Sequence, residues 1–459
     1  MLVARCCLRL AALERGASCV TTARTARTAS TWYAARPQRP SDLPPASSVR
    51  WSGGHVSIQR GDLLAAAAKT SQKVHPKPVH TLVSPPDGVW AGLREWRDAP
   101  LNRRWVWGKK DAQDADAGRE DNPTPNLDTP WATDDACVRM PDTLAECADL
   151  VLRTADPAMK AALSHAAYAK FVASDGTMRV GVASPPNRPA RPDRPELVHP
   201  KDVPSPKTCP LGMSAAMIHN VAHIELNAID LAWDTVARFS ALAADRGGDR
   251  GDGNLINLPV DFFADFARVA DDESRHLGWC LQRLGEMGVR YGDIPAHNVL
   301  WEGAESTAGS LPARLAVVPC MQEARGLDAG PRLAAKLQGR GDNRSAAVVS
   351  RISEEEIAHV AVGVAWFRHL CGDVLGGVDP GDAFRAHVGV HAPDSLRGPF
   401  NHEQRVAAGL EPDWYSVGPD HRMGREGEAE LGGDDAKALV GRLRQMLVLE
   451  GVDPDEELA

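Results

Sequence analysis

Across residues 213–371 the apolar positions recur every three or four residues in four separate runs, and each run carries an acid inside its apolar stripe. The first run, 213–242, aligns Ile218, Val221, Ala222, Glu225, Ala228, Ile229 and Ala232 on one helix face. The second opens after Asp252, Gly253 and the start signal Pro259. It aligns Phe266, Val269, Ala270, Glu273, His276, Leu277, Cys280 and Leu281. The third aligns Leu315, Ala316, Pro319, Cys320, Glu323, Gly326 and Leu327, and Pro319 is expected to kink it one turn before the glutamate. The fourth, 345–371, aligns Val349, Ile352, Glu356, His359, Val360, Gly363 and Val364. Residues 289–310, with Gly, Pro and Asn, are expected to form a long crossover between the two helix pairs.

The flanking segments are patterned differently. Residues 141–172 read as helix, with Leu144, Cys147, Ala148, Val151 and Leu152 on one face. Residues 184–210 hold nine prolines, a density that excludes helix and central strand and predicts an extended wrap or linker. Residues 51–136 lack periodicity, although the pairs Trp90/Trp96 and Trp105/Trp107 are expected to pack onto something. After residue 371 the pattern predicts helices at 382–391 and 403–410, a Gly- and Glu-rich link at 424–435, and an amphipathic helix at 436–449. The division is then 1–50, an irregular extension 51–136, a helical domain 137–411 and a tail 412–459.

Each acid in the four runs would be an ordinary surface glutamate if met singly, and a Glu-x-x-His is by itself weak. The chain supplies its own control: Glu196 and His199 have that spacing inside the Pro-rich stretch, where no helix presents them. The combination is another matter. Glu225, then Glu273 with His276, then Glu323, then Glu356 with His359 is a lone carboxylate and a Glu-x-x-His, twice over. That is the ligand set of a di-metal carboxylate centre in a four-helix bundle. Unpaired ionised groups on apolar faces cost several kcal/mol each, and two divalent cations would offset four of them. The expected fold is therefore all-α, a ferritin-like four-helix bundle with additional helices and the Pro-rich wrap. Carboxylate with imidazole suits iron, with manganese or a mixed pair as the alternative, and offers no thiolate. Asp272 is a candidate acceptor for a ligand imidazole N–H, and Arg325 with Asp328 a candidate pair behind the site; a solvated acid and a surface pair are the bland readings.

Composition adjusts this picture in two places. The first fifty residues hold eight Arg, no Lys and two acids, Glu14 and Asp42, with many Ser, Thr and Ala. That composition predicts a mitochondrial transit segment, with a plastid address or a basic tail on a cytoplasmic protein as alternatives. Its loss moves the formal charge from -9 to -15, which disfavours nucleic acid as a partner. No apolar run approaches the ~20 residues of a membrane helix. Nine cysteines without a C-x-x-C pair suit reduced thiols better than disulfides or zinc.

Five stretches carry a resemblance: 223–233 (His-Ile-Glu-Leu-Asn-Ala-Ile-Asp-Leu-Ala-Trp), 272–276 (Asp-Glu-Ser-Arg-His), 291–297 (Tyr-Gly-Asp-Ile-Pro-Ala-His), 323–328 (Glu-Ala-Arg-Gly-Leu-Asp) and 355–359 (Glu-Glu-Ile-Ala-His). With Arg194-Pro-Glu-Leu-Val198 they resemble a ferritin-like family catalogued as a domain of unknown function, over roughly residues 144–410. That family is distantly similar to di-iron tRNA hydroxylases and rubrerythrins. The resemblance implies the fold and metal binding, and no substrate. Where ribonucleotide-reductase-like proteins place a radical tyrosine this chain has Ile229, and where hydrocarbon monooxygenases place a threonine it has Gly326 and Leu327. The small Gly326 is expected to leave room for a substrate.

The expected function is a di-iron oxidoreductase that uses dioxygen or peroxide on an unknown small-molecule substrate, with an external electron donor, since no glycine-rich nucleotide loop follows a predicted strand. The rivals are a ferroxidase or peroxide-scavenging protein, and a bundle that binds metal for stability and works through partners.

Overall fold

A computed structural model describes residues 80–81, 92–99, 107, 140–245, 256–373, 377–393 and 395–416. The transit-like segment, the polar loop at 109–130 and the helix expected at 436–449 lie outside the described residues. A two-residue strand, β1 (His80–Thr81), pairs in parallel with β2 (Ile256–Asn257). Otherwise the architecture is all-α. The helices are α1 (Leu93–Asp98), α2 (Leu144–Leu152), α3 (Pro157–Ala173), α4 (Met213–Arg238), α5 (Val260–Glu286), α6 (Val299–Ser306), α7 (Leu311–Val317), α8 (Ala324–Gln338), α9 (Asn343–Asp373), α10 (Pro380–His391), α11 (His402–Ala407) and α12 (Pro412–Tyr415).

The four predicted runs form the centre of this arrangement. α4 lies along α5 and α8 along α9, α9 also meets α5, and α2 and α3 cover the α4–α5 pair. Three local departures from the expected pattern have clear causes. The helix expected over 141–172 breaks in two, because Pro157 has no N–H to continue α2 and Asp156 accepts from the Met159 N–H at 2.8 Å, starting a new helix instead. The crossover at 289–310 contains α6, whose Leu300, Trp301 and Ala304 pack with Leu231 and Val318. The third run is not simply kinked at Pro319. Its backbone relaxes into a π-helical turn, Val318–Glu323, that joins α7 to α8 and ends on the glutamate.

Pro319 is seated on a gap in α9. A Cβ on Gly363 would lie 2.3 Å from the Pro319 Cβ, so glycine is what lets the two backbones approach. The Pro-rich stretch has no helix and is tied to the bundle by polar contacts. Arg191 pairs with Asp230 at 2.8 Å and donates to Asn227 Oδ1 at 2.8 Å, and the Val198 N–H donates to the Ala296 carbonyl at 2.8 Å. The fully buried Lys160 joins the same Asp230. Glu196 and His199 both face solvent.

The N-terminal extension also contributes to the core. Trp107 is buried edge-on against Trp279 of α5, with ring centroids 4.9 Å apart. Among the described residues five cysteines are free and buried, and no helix is long and apolar enough to cross a membrane.

The contact between Pro319 and Gly363 generates a test. Gly363→Ala forces a methyl into Pro319 and is expected to cost about 1–3 kcal/mol in urea unfolding. Gly372→Ala, in the same helix with nothing within 4 Å of the new methyl, is expected to be neutral or slightly stabilising. Equal effects would contradict the packing described.

Candidate metal centre

The ligand candidates reach one buried volume because each sits on the inward stripe of its helix. Glu225 comes from the middle of α4, Glu273 and His276 from α5, and Glu356 and His359 from α9; all five are buried. Glu323 ends the π turn and is half-buried by whole-residue exposure. One ligand atom each from Glu225, Glu273, His276 and Glu356 lie within 4.8 Å of one another. This cluster can hold a metal ion.

His276 Nδ1 faces three of these carboxylates: Glu225 Oε2 at 3.3 Å, Glu273 Oε2 at 3.4 Å and Glu356 Oε1 at 3.6 Å. His359 stands outside the tightest group but joins it, with Nδ1 2.8 Å from Glu273 Oε1 and 3.5 Å from Glu356 Oε2. Glu323 lines the same cavity as Glu225, Glu273 and Glu356. Five of the six predicted residues are thus linked by direct contacts, and Glu323 joins them along the cavity wall. Glu273 Oε1 and His359 Nδ1 are both buried without a hydrogen bond, although they are 2.8 Å apart. Both are atoms that ligate metals, and their close approach in a buried volume fits a cation once His359 gives up its proton.

The outward nitrogens of the two imidazoles are held in a crossed pattern. His276 Nε2, from α5, meets Glu355 Oε2 of α9 at 2.9 Å, while His359 Nε2, from α9, lies 3.5 Å from Asp272 Oδ2 of α5. Each acid stands directly before a ligand-candidate glutamate on one helix and nearest the histidine of the other; Glu355 is hydrogen-bonded to its histidine, and Asp272 is at ion-pair distance only. Arg275 bridges the two acids, 2.6 Å from Asp272 Oδ1 and 2.8 Å from Glu355 Oε2, and is itself almost fully buried. Trp96 of α1 donates its indole N–H to Asp272 Oδ2 at 3.0 Å, so the extension braces the centre. An acceptor on Nε2 leaves Nδ1 as the lone-pair donor and fixes the ring plane.

Asp272 Oδ2 lies 3.5 Å from His359 Nε2 without a hydrogen bond to it, and the carboxylate's hydrogen bonds come from Arg275 and Trp96. Arg325 and Asp328 do something else. They form a pair at 3.6 Å, but Asp328 is taken up by Arg405 at 2.7 Å and by the Asn401 N–H at 2.8 Å. Arg325 donates to the carbonyls of Ser395 and Arg397. Together they fasten segment 395–405 onto α8, and Arg325 also borders the cavity. The residues missed from sequence are Glu355, Arg275 and Trp96. For Glu355 a signal existed: an acid directly precedes the ligand glutamate in both Glu-x-x-His helices.

Electrostatics express the crowding. Burial, then the neighbouring Glu273, pushes the Glu225 carboxyl well above its usual range. Burial, then Glu273 and Glu356, pushes Glu323 up to about 8. Burial acts the same way on Glu273, but the His359 and His276 imidazoles outweigh it and hold that carboxyl low. Burial works against charge on both imidazoles, yet the surrounding carboxylates raise them well above their usual value. Glu355 is brought down to about 2: burial opposes this, and His276 and Arg275 overcome it.

These shifts fix the sign of a pH dependence. The raised groups bind protons in the folded, metal-free protein, so their contribution is complete below the unfolded values and is lost as pH climbs through the folded ones. For Glu323 that window runs from its ordinary 4.5 to about 8. A metal replaces those protons, so the rise in Tm on adding Mn(II) is expected to grow from about pH 5.5 to about pH 7.5. A pH-independent rise would contradict this. Glu355→Gln and Asp272→Asn, measured by metal titration, are expected to weaken binding about 10–100-fold with every ligand in place.

Comparison with known proteins places this site within a family. An uncharacterized protein of Haemophilus influenzae is 34% identical to the chain over 277 residues, covering 59% of the chain and 92% of that protein. No solved structure matches. Residues 153–416, which contain all six ligand candidates and both acids behind the histidines, match the family model described as "Protein of unknown function (DUF455)", and the chain belongs to that family.

Proposed function

We propose that the centre holds two iron ions and that the protein is an oxidoreductase acting on an organic substrate with dioxygen or peroxide. Manganese, or a mixed pair, is the alternative metal content. The observation that carries this reading is the buried cluster of Glu225, Glu273, His276 and Glu356, with His359 beside it and Glu355 against His276 Nε2. Glu225, Glu273, His276, Glu323, Glu356 and His359 would hold the metals, in the two-plus-two pattern of di-iron carboxylate bundles. When bound, the metals supply the oxygen activation and electron transfer that side chains cannot.

The protein's own residues do three things. Glu355 orients the His276 imidazole and keeps its N–H on the outer nitrogen, and Asp272 stands nearest the outer nitrogen of His359. Arg275 holds those acids ionised: burial opposes the Asp272 charge, but Arg275 and His359 more than compensate. The apolar helix faces keep bulk water from the carboxylates. For a hydroxylation, one atom of dioxygen enters a C–H bond and the other leaves as water, with two electrons and two protons arriving from an external reduced donor protein.

Two histidines in the centre favour this reading over a ferroxidase or storage role. The discriminating experiment is an anaerobic Fe(II) titration followed by air. Saturation at two irons per chain, with oxygen use stoichiometric with the iron and abolished in Glu273→Ala, is the expected result. Iron uptake continuing as mineral would instead favour metal handling, and an absence of any oxygen reaction would favour a purely structural metal.

A further inference from the structure

α4, α8 and α9 leave a cavity of about 120 Å³ whose inner end is formed by Glu225, Glu273, Glu323 and Glu356. Apart from Gln322, Arg325 and Ser353, the rest of its wall is apolar, including Val221, Leu333, Val349 and Ile352 with the small residues Gly326 and Ala329. Gly326 and Gly330 play different parts here. A Cβ on Gly330 would lie 2.5 Å from the Ser353 hydroxyl, so that glycine is needed for helix packing. A Cβ on Gly326 would meet only the Glu356 side chain, first at 3.7 Å, an ordinary contact. Packing therefore tolerates a methyl at 326, and the space left there belongs to the cavity.

Two polar atoms in the wall lack partners. Gln322 Oε1 and Ser353 Oγ are buried and make no hydrogen bond, and both residues line the cavity. Arg325 at the rim already donates to the Ser395 and Arg397 carbonyls. Glu225, Glu273, Glu323 and Glu356 also line the cavity, and in the metal-free protein they offer an anion no counter-charge. Ile224, also in the lining, is 40% exposed and marks the side facing solvent.

We infer that this cavity is the substrate site, and that it takes an uncharged, predominantly apolar group of ring or short-chain size. The inference rests on the oxidoreductase reading for its chemistry but not for its binding. The volume sets the size class, since an apolar cavity of comparable volume accepts benzene. The aliphatic part of the wall selects against charge. An apolar group bound there abuts the ligand carboxylates.

The test uses the full chain, metal-free and loaded with redox-inert Zn(II), labelled at Ile, Leu and Val methyls and titrated with benzene, phenol and benzoate. Benzene and phenol are expected to shift the Val221, Leu333, Val349 and Ile352 methyls saturably, and benzoate to bind at least tenfold more weakly. Ala329→Phe should abolish the shifts while the protein still takes up its metal. Gly326→Ala, a smaller change that keeps the fold, should weaken both neutral probes several-fold. The proposal is overturned if no probe shifts those methyls saturably, if benzoate binds as well as benzene, or if both variants bind like the parent. Probe binding without metal uptake would sink the metal reading alone, whereas metal uptake without probe binding would sink the cavity assignment alone.

Discussion

Four carboxylates share one buried volume, and the rest of the centre is arranged to make that tolerable. Two like charges 4 Å apart repel by about 4 kcal/mol even at an effective dielectric constant near 20. Neither of the available imidazoles is placed to serve one carboxylate alone: His276 Nδ1 faces three and His359 Nδ1 faces two. Without metal, the centre copes by pushing Glu225 and Glu323 toward their protonated forms and by favouring charge on both histidines. Two divalent cations with neutral imidazoles would balance the same four carboxylates without any of those protons.

The support around the histidines shows how a bundle imposes this state. Glu355 reaches across from α9 to hydrogen-bond His276 of α5, and Asp272 of α5 lies near His359 of α9, so a shift of α5 against α9 would disturb this support. Arg275 locks the two acids together, and Trp96 extends the brace to a segment far away in sequence. The third run carries a π turn at Pro319 that delivers Glu323 to the cavity, and Gly363 makes room for the proline.

Much of this was legible in the sequence because helical periodicity reports directly on which side chains face inward. The four long helices, their acids and the non-helical Pro-rich stretch all follow from period and proline density alone. What stayed hidden depends on contacts between elements. Glu355 and Arg275 are charged residues on a stripe edge, and nothing in a single helix tells a bracing acid from a solvated one. Trp96 lies in a segment without periodicity and contacts Asp272 across 176 positions. Asp328 read equally as site support or surface pair, and its partner, Arg405, lies in a C-terminal helix with no pattern linking it to α8. The cavity was foreshadowed only by Gly326; its wall is assembled from residues of α4, α8 and α9, a juxtaposition that no one-dimensional pattern encodes.

The most direct test of the metal centre is anomalous diffraction from crystals of the full chain grown with Fe(II), recorded on either side of the iron edge. The account predicts two iron peaks about 3.5–4 Å apart, lying between Glu273 and Glu356 with His276 and His359 on opposite flanks. No peak in that volume, or iron held only on exposed acids elsewhere, would contradict it.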